Sequence, residues 1–449
     1  MFSSPPVFSR VTQVFQNVVC PGCACLCDDV SLTLDSHQLV DFQPKCELGR
    51  QWFSSHLKSV TDAVTAPSGP IDYQDGISRA ADILHRANYP LIYGLSRSST
   101  PGQRAAVALG DALRGVVDTT ASLCHGPSIM ALQEFGEVTC TLGEIRNRAD
   151  LVIFWGCNPA DSHPRHAERY SVTATGQLLP GGRDDRKIVM IGSEDQIHQW
   201  RLDHEGTEPD LVIPVPKARD FELISQLTML LQGKPVNDIS QDITTLMKMI
   251  RSCNYGVFFF GLGLAETGSW GGTERTGTGH INVAALLHLV AELNAVTRFT
   301  ARRMRLQGDV SGADNVLCWQ TAYPFAVDFS RGFPRYNPGE YTTNELLERG
   351  DVDAALLVGA ETVQHFTDEA REHLAKIPTV VLDYPGAEQP LDADVAFTTA
   401  VYGLHAPGTA YRMDNVPLDL KKLIDSDLPT DQTVLDDLLE KLKELDPSL

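Results

Sequence analysis

Four cysteines near the N-terminus, Cys20, Cys23, Cys27 and Cys46, form a C-x2-C-x3-C run with a distant fourth thiol. Such short steps let three thiolates converge on one inorganic centre while chain folding brings in the last, which is the pattern of an iron–sulfur site. All-cysteine zinc sites also use C-x2-4-C steps, though more often as two separated pairs, so zinc is the competing reading. A disulfide framework ranks third. Ten cysteines in 449 residues, five of them between Cys20 and Cys46, suit metal chemistry in a reducing compartment better than cross-linking. Cys25 falls outside the spacing and reads as a small buried residue or bystander thiol. Residues 31–42 alternate like a hairpin around Asp35-Ser36-His37, so the start of the chain is expected to be a small β-rich clip without a core of its own.

Beyond the clip the chain is long enough for several domains. Apolar runs at 90–95, 150–156, 187–193, 210–216, 255–264, 353–360 and 378–383, most of them with a Gly at or near the end, alternate with helical patterns such as 77–86, 100–113 and 283–293. This alternation specifies α/β units with parallel sheets. The theme at 353–360 repeats that at 150–156, which points to an internal duplication. A formal charge of -21 argues against nucleic acid as a partner. No apolar run approaches the ~20 residues of a membrane span, and the N-terminus lacks a secretory pattern, so a cytoplasmic location is expected. The amphipathic tail at 430–445 reads as a surface or partner helix.

Several stretches carry chemistry. Gly126-Pro127 should keep a helix from running through, leaving Cys124 and His125 on a loop as soft-metal ligand or nucleophile candidates, or as an inert thiol beside an imidazole. Gly156, Asn158 and Pro159 end an apolar strand in a turn whose N–H groups suit a phosphate, or simply reverse the chain. The loop of Gly261 and Gly263 carries the same two readings. Arg298, Arg302, Arg303 and Arg305 concentrate positive charge suited to a phosphate or carboxylate, or mark a solvated helix end. Residues 179–186 read as a solvated loop, and 314–340 as aromatic loops of the functional or interface kind.

The cysteine run, the downstream Cys-His and the two strand-Gly repeats look like the molybdopterin or tungstopterin oxidoreductases. More closely, Leu123-Cys124-His125-Gly126-Pro127, the run from Cys318 to Asp328 and Tyr336-Asn337-Pro338-Gly339-Glu340 resemble the B subunit of formylmethanofuran dehydrogenase, over nearly the whole chain. They equally resemble the homologous B subunit of the bacterial formyltransferase/hydrolase complex. The resemblance implies a multi-domain α/β, molybdopterin-oxidoreductase-like fold, divided as a cysteine domain at 1–60, α/β domains at 61–250 and 251–390, and a C-terminal cap at 391–449. It implies a 4Fe-4S cluster on Cys20, Cys23, Cys27 and Cys46, and a tungsten or molybdenum bis-pterin guanine dinucleotide with Cys124 on the metal and His125 beside it. Gly156, Asn158, Pro159, Gly261 and Gly263 would border that cofactor's phosphates, Pro214 to Asp220 its guanine, and Arg305 would steady a carboxylate.

In that family CO2 is reduced to formate and passed to an amidohydrolase-like A subunit for condensation with a methanofuran-type carrier, within a complex that has C and D subunits. The stretch from Trp319 to Tyr336, including Tyr323 and Phe325, is expected to meet the A subunit. One departure stands out: Met304-Arg305 is followed by Leu306-Gln307, where the dehydrogenases carry Gly-His. It opens an alternative, a non-redox structural subunit without metal or pterin, in a complex that releases formate from formyl-tetrahydromethanopterin.

Overall fold

The computed structural model describes residues 12–265, 279–305, 308–388 and 390–449. Strands β1 (Thr12–Val18), β2 (Val30–Asp35) and β3 (Gln38–Gln43) form a small antiparallel sheet, with the cysteine run in the β1–β2 connection. The hairpin read from the sequence turns at Ser36 and His37, both in left-handed backbone at φ 50° and 68°. As expected of a clip, this unit shares its core: Cys25, Leu32 and Phe42 bury in the same apolar layer as Val152, Phe154 and Phe259 of a neighbouring sheet.

The chain next starts one large sheet, leaves it, and returns. Strands β4 (Val64–Ala66), β5 (Gly69–Pro70), β6 (Pro90–Gly94) and β7 (Val116–Thr119) come first. A separate sheet follows from β8 (Leu151–Trp155), β9 (Lys187–Ser193), β10 (Leu211–Val215), β11 (Tyr255–Phe260) and β12 (Arg298–Arg303). Then β13 (Val327–Asp328), β14 (Arg335–Tyr336), β15 (Ala354–Val358), β16 (Thr379–Asp383) and β17 (Val395–Thr398) complete the first. A hairpin of β18 (Gly408–Tyr411) and β19 (Pro417–Leu420) precedes the Asp431–Leu445 helix. The boundary expected at 250/251 therefore falls between β10 and β11, strands of one sheet. The second sheet is inserted between two halves of the first, which a division by sequence position cannot express.

Strand order in the inserted sheet is β10-β9-β8-β11-β12, all parallel. In the larger sheet β7-β6-β15-β16-β17 run parallel, and short antiparallel strands close both edges. Every residue of β8, β11, β15 and β16 is buried, as strands covered on both faces require. The two sheets share one device. Asp353, ahead of β15, accepts from the backbone N–H of Asn88 (2.8 Å) and Tyr89 (2.9 Å) ahead of β6. Asp150, ahead of β8, does the same for Asn254 (2.9 Å) and Tyr255 (2.9 Å) at the start of β11. Each clasp joins the two strands between which strand order reverses, so the internal duplication read from the sequence has a structural counterpart.

Several local expectations are corrected. Gly126-Pro127 does keep a helix from running through, leaving Cys124 and His125 in a turn as expected, but it also starts the Gly126–Phe135 helix, because proline in a first turn gives up an N–H that has no helical partner anyway. Residues 314–321, read as loop, belong to the Val310–Thr321 helix. Arg186, placed in a solvated loop, is buried and donates to the carbonyls of Ala174, Gly182 (2.9 Å) and Arg146 (2.7 Å). No helix among the described residues is long and apolar enough to cross a membrane.

Candidate active site and cysteine centre

A parallel sheet offers a crevice beyond the carboxyl ends of the strands where its order reverses. In the inserted sheet that point lies between β8 and β11, where Gly156 meets the loop of Gly261 and Gly263. Gly156 has φ 63°, and a Cβ there would sit 2.4 Å from the Leu264 nitrogen; one on Gly261 would sit 2.7 Å from the Gly156 oxygen. Gly261 N donates to Trp155 O at 3.0 Å and Gly263 N to Gly156 O at 2.9 Å. These glycines let two strand ends touch, a packing role that neither sequence reading contained.

Asn158 is engaged as well: its Oδ1 accepts from Arg201 N at 2.9 Å and its Nδ2 donates to Asp161 at 2.6 Å, while Pro159 opens a one-turn helix. Pro214 is exposed on edge strand β10. Asp220 begins the Asp220–Leu231 helix and accepts from the Trp155 indole at 2.7 Å; burial pushes its carboxyl up. All these positions lie along one carboxyl edge of the sheet.

The turn after β7 brings Cys124 and His125 to the same place. Together with Ser128, Gly261, Arg303, Met304 and Arg305 they line a small pocket. The Cys124 amide donates to the carbonyls of Thr120 (3.1 Å) and Ala121 (3.0 Å), which fixes a buried thiol. His125 Nε2 lies 2.6 Å from Asp314 Oδ2. Arg305 Nη1 donates to Ser311 Oγ at 2.7 Å and reaches the same Asp314 oxygen at 3.4 Å. Arg303 donates to Glu137 at 3.0 Å. The helix-end reading of the arginines thus gives way: Arg302, Arg303 and Arg305 are buried at the end of β12 and just beyond.

Burial, and then Arg305, hold His125 down at about 4 against the opposing pull of Asp314, so the ring is neutral at pH 7. Burial and Arg303 lower Arg305 to about 10, which leaves it charged. His125 Nδ1, Arg303 Nη1 and Arg305 Nε are buried without hydrogen-bond partners among the described residues. Unmet donors from two cations beside a thiol suit a small anion, since each buried polar atom left alone costs about 1–3 kcal/mol. Cys124, His125 and Arg305, named together from the sequence, line one pocket. Asp314, Ser311 and Ser128 were not expected there, because their types and spacing are ordinary for helices. Leu306, Gln307 and residues 268–278 lie outside the described residues.

In the clip, Cys20, Cys23 and Cys27 are buried, Cys46 is half-buried, and none of the ten cysteines forms a disulfide. Burial, and then Cys27, Cys23 and Cys46, push the Cys20 thiol well up. A Cβ on Gly22 or Gly49 would come within 3.4 or 3.0 Å of Cys20 Sγ, so both glycines leave room there. Among the described residues no three His, Cys, Asp or Glu side chains converge as a single metal ion requires. A cubane differs, spreading its thiolates over separate irons.

Cys25 is buried, as the sequence reading had it, and its hydrogen bond is the main influence lowering the Cys23 thiol, with Arg165 adding to it. Arg165 grips both oxygens of Asp29 (2.8 and 2.8 Å), and Arg169 pairs with Asp28 at 2.6 Å. Two residues before Arg165, His163 Nε2 donates to the Arg305 carbonyl at 2.5 Å. The segment 163–165 therefore touches the pocket arginine at one end and the cysteine unit at the other. Its one signal along the chain is a pair of arginines four apart, which is common on any solvated helix.

The aromatic stretch divides. Phe325 is buried and Tyr323 stacks on Tyr336 at 5.1 Å, leaving Trp319 and Phe333 as its exposed members.

No family model matches the chain. Among curated proteins it is similar to the B subunit of the tungsten-containing formylmethanofuran dehydrogenase 2 of Methanocaldococcus jannaschii, 36% identical over 97% of this chain and 100% of the relative. The protein of the same name from Methanococcus maripaludis is 34% identical over 96% and 100%. The B subunit of the formyltransferase/hydrolase complex of Methylorubrum extorquens is 22% identical over 66% and 74%. Among solved structures, a chain of that bacterial complex, crystallised with methylofuran, superposes with a TM-score of 0.70 over 85% of this chain and 99% of that one; at 20% identity the likeness is one of fold.

Proposed function

The chain belongs to the family of formylmethanofuran dehydrogenase B subunits, and we propose on that basis that it carries the metal–pterin site of such a complex and interconverts CO2 and formate there. The observation that carries the reading is the convergence of Cys124, His125, Arg303 and Arg305 on one buried pocket with unmet polar atoms. When bound, a tungsten or molybdenum bis-pterin guanine dinucleotide supplies two-electron redox chemistry at the metal. Cys124 would ligate that metal. Gly156, Asn158, Pro159, Gly261 and Gly263 would border the phosphates, and Pro214 to Asp220 the guanine. Cys20, Cys23, Cys27 and Cys46 would hold a 4Fe-4S cluster, which the burial of the first three as free thiols and the room left beside Cys20 by Gly22 and Gly49 support.

Reduction of CO2 to formate consumes two electrons and one proton. Arg305 and Arg303 hold the carboxylate charge in a site from which bulk water is largely excluded, where fixed donors count most. The neutral His125 ring has a free nitrogen that takes the proton released in formate oxidation, and the ring so protonated gives it back in CO2 reduction. Formate would pass to an amidohydrolase-like A subunit for transfer to a methanofuran-type carrier, with C and D subunits completing a cytoplasmic complex. Trp319 and Phe333 are the exposed aromatic contacts offered to a partner.

A non-redox assembly role is the second reading, supported by the fold likeness to the formyltransferase/hydrolase chain and by Leu306-Gln307 following Arg305. Metal analysis and an absorption spectrum of the anaerobically purified complex separate the two. The first reading expects tungsten or molybdenum with iron–sulfur absorbance; a complex lacking both leaves only the second.

A further inference from the structure

We propose that Asp314 is the positioning residue of this pocket: its carboxylate, shared by His125 and Arg305, turns the imidazole so that Nδ1 is the nitrogen offered to the substrate, and holds the guanidinium beside it. The inference rests on the functional reading above but concerns a residue with no place in it.

Three elements meet at this carboxylate. His125 is the N-terminal flanking residue of the Gly126–Phe135 helix, and its carbonyl accepts from Ser128 N (3.0 Å) and Ile129 N (3.1 Å). Its backbone is thereby fixed, and only the side-chain torsions remain to be set. Asp314 sets them through the 2.6 Å contact with Nε2. Asp314 and Ser311, three apart on the Val310–Thr321 helix, lie on one face and both receive Arg305 Nη1. Thr119 Oγ1 donates to the other Asp314 oxygen at 3.2 Å. With Arg305 and Thr119 both donating to it, Asp314 is the acceptor in its pair with His125. The hydrogen between the two therefore sits on His125 Nε2, which leaves Nδ1 as the nitrogen turned to the pocket. That Nδ1 is buried in the pocket lining and has no other partner among the described residues. Without Asp314 nothing described would select between the two nitrogens, nor tie the imidazole to the cation.

Histidine side-chain nitrogen–proton correlation spectra of the full-length chain, labelled with 15N-histidine, test this directly. The His125 signal is identified by its loss in His125→Gln. The expected wild-type pattern has the proton on Nε2 and a bare Nδ1. Asp314→Asn is expected to lose that single pattern and to lower kcat for formate oxidation by the complex on the order of 10²-fold, with metal and iron contents unchanged. Asp314→Glu is expected to keep the pattern and most of the rate. A wild-type ring protonated on Nδ1 overturns the proposal without any variant, so misfolding of the Asn chain does not block the test. An Asn variant that keeps the wild-type tautomer or the wild-type kcat also overturns it. If the wild-type complex has no CO2/formate activity yet His125 still follows Asp314 in the spectra, the functional reading falls and the positioning role is supported.

Discussion

Replacing Gly156 by alanine tests whether the crevice between β8 and β11 is held open by close backbone approach. Two costs add at this position. The φ of 63° is left-handed, which disfavours any residue with a Cβ by about 1–2 kcal/mol. The new Cβ would also meet Leu264 N at 2.4 Å, Gly263 C at 2.7 Å and Gly263 Cα at 3.0 Å. These are backbone atoms that cannot rotate away, and overpacking of this kind costs about 1–3 kcal/mol more. Gly206 isolates the first cost, because its φ is 84° and nothing lies within 4 Å of its Cβ position. Equilibrium urea unfolding should therefore show Gly156→Ala destabilised by about 1–3 kcal/mol beyond Gly206→Ala. Trp155, fully buried next to Gly156 and bonded to Asp220, makes indole fluorescence a local reporter, and hydrogen exchange at β8 and β11 should accelerate with it. Equal destabilisation of the two variants would refute the close-approach argument.

Cys20→Ser, Cys27→Ser or Cys46→Ser should each abolish cluster absorbance and acid-labile sulfide, whereas Cys25→Ala should retain both with a small change in position; iron and sulfide assays decide. Arg303→Lys should raise KM for formate by roughly 10-fold, from loss of one charge-assisted hydrogen bond, with kcat less affected, as steady-state kinetics would show. Docking of the clip should weaken in acid. The Arg165 hydrogen bond, with Arg169, lowers Asp29 despite partial burial, so its contribution is present above the ordinary aspartate value near 4 and is lost as pH falls through the lowered one. Limited acid proteolysis should then release residues 12–60, and Arg165→Met should show the same release at neutral pH.

Much of this protein is legible along the chain because its determinants are local. Buried parallel strands are continuous apolar runs, so β8, β9, β11, β15 and β16 could be read without knowing their neighbours. Ligand spacing in Cys20 to Cys27 is likewise a property of a few consecutive residues, and the motif resemblance identified the family that the relatives show. Local patterns misled where one signal has two structural uses. Clustered arginines can decorate a helix end or, as Arg302, Arg303 and Arg305 do, lie buried at the end of a strand and just beyond.

Only the tertiary structure decided which strands share a sheet, because the insertion of β8 to β12 between two halves of the larger sheet leaves no mark on periodicity. It alone added Arg303 to the pocket of Cys124, His125 and Arg305, and brought Asp314, 189 residues from His125, within 2.6 Å of its ring. Hydrogen bonds and ion pairs act over a few ångströms of space, and distance along the chain does not enter them.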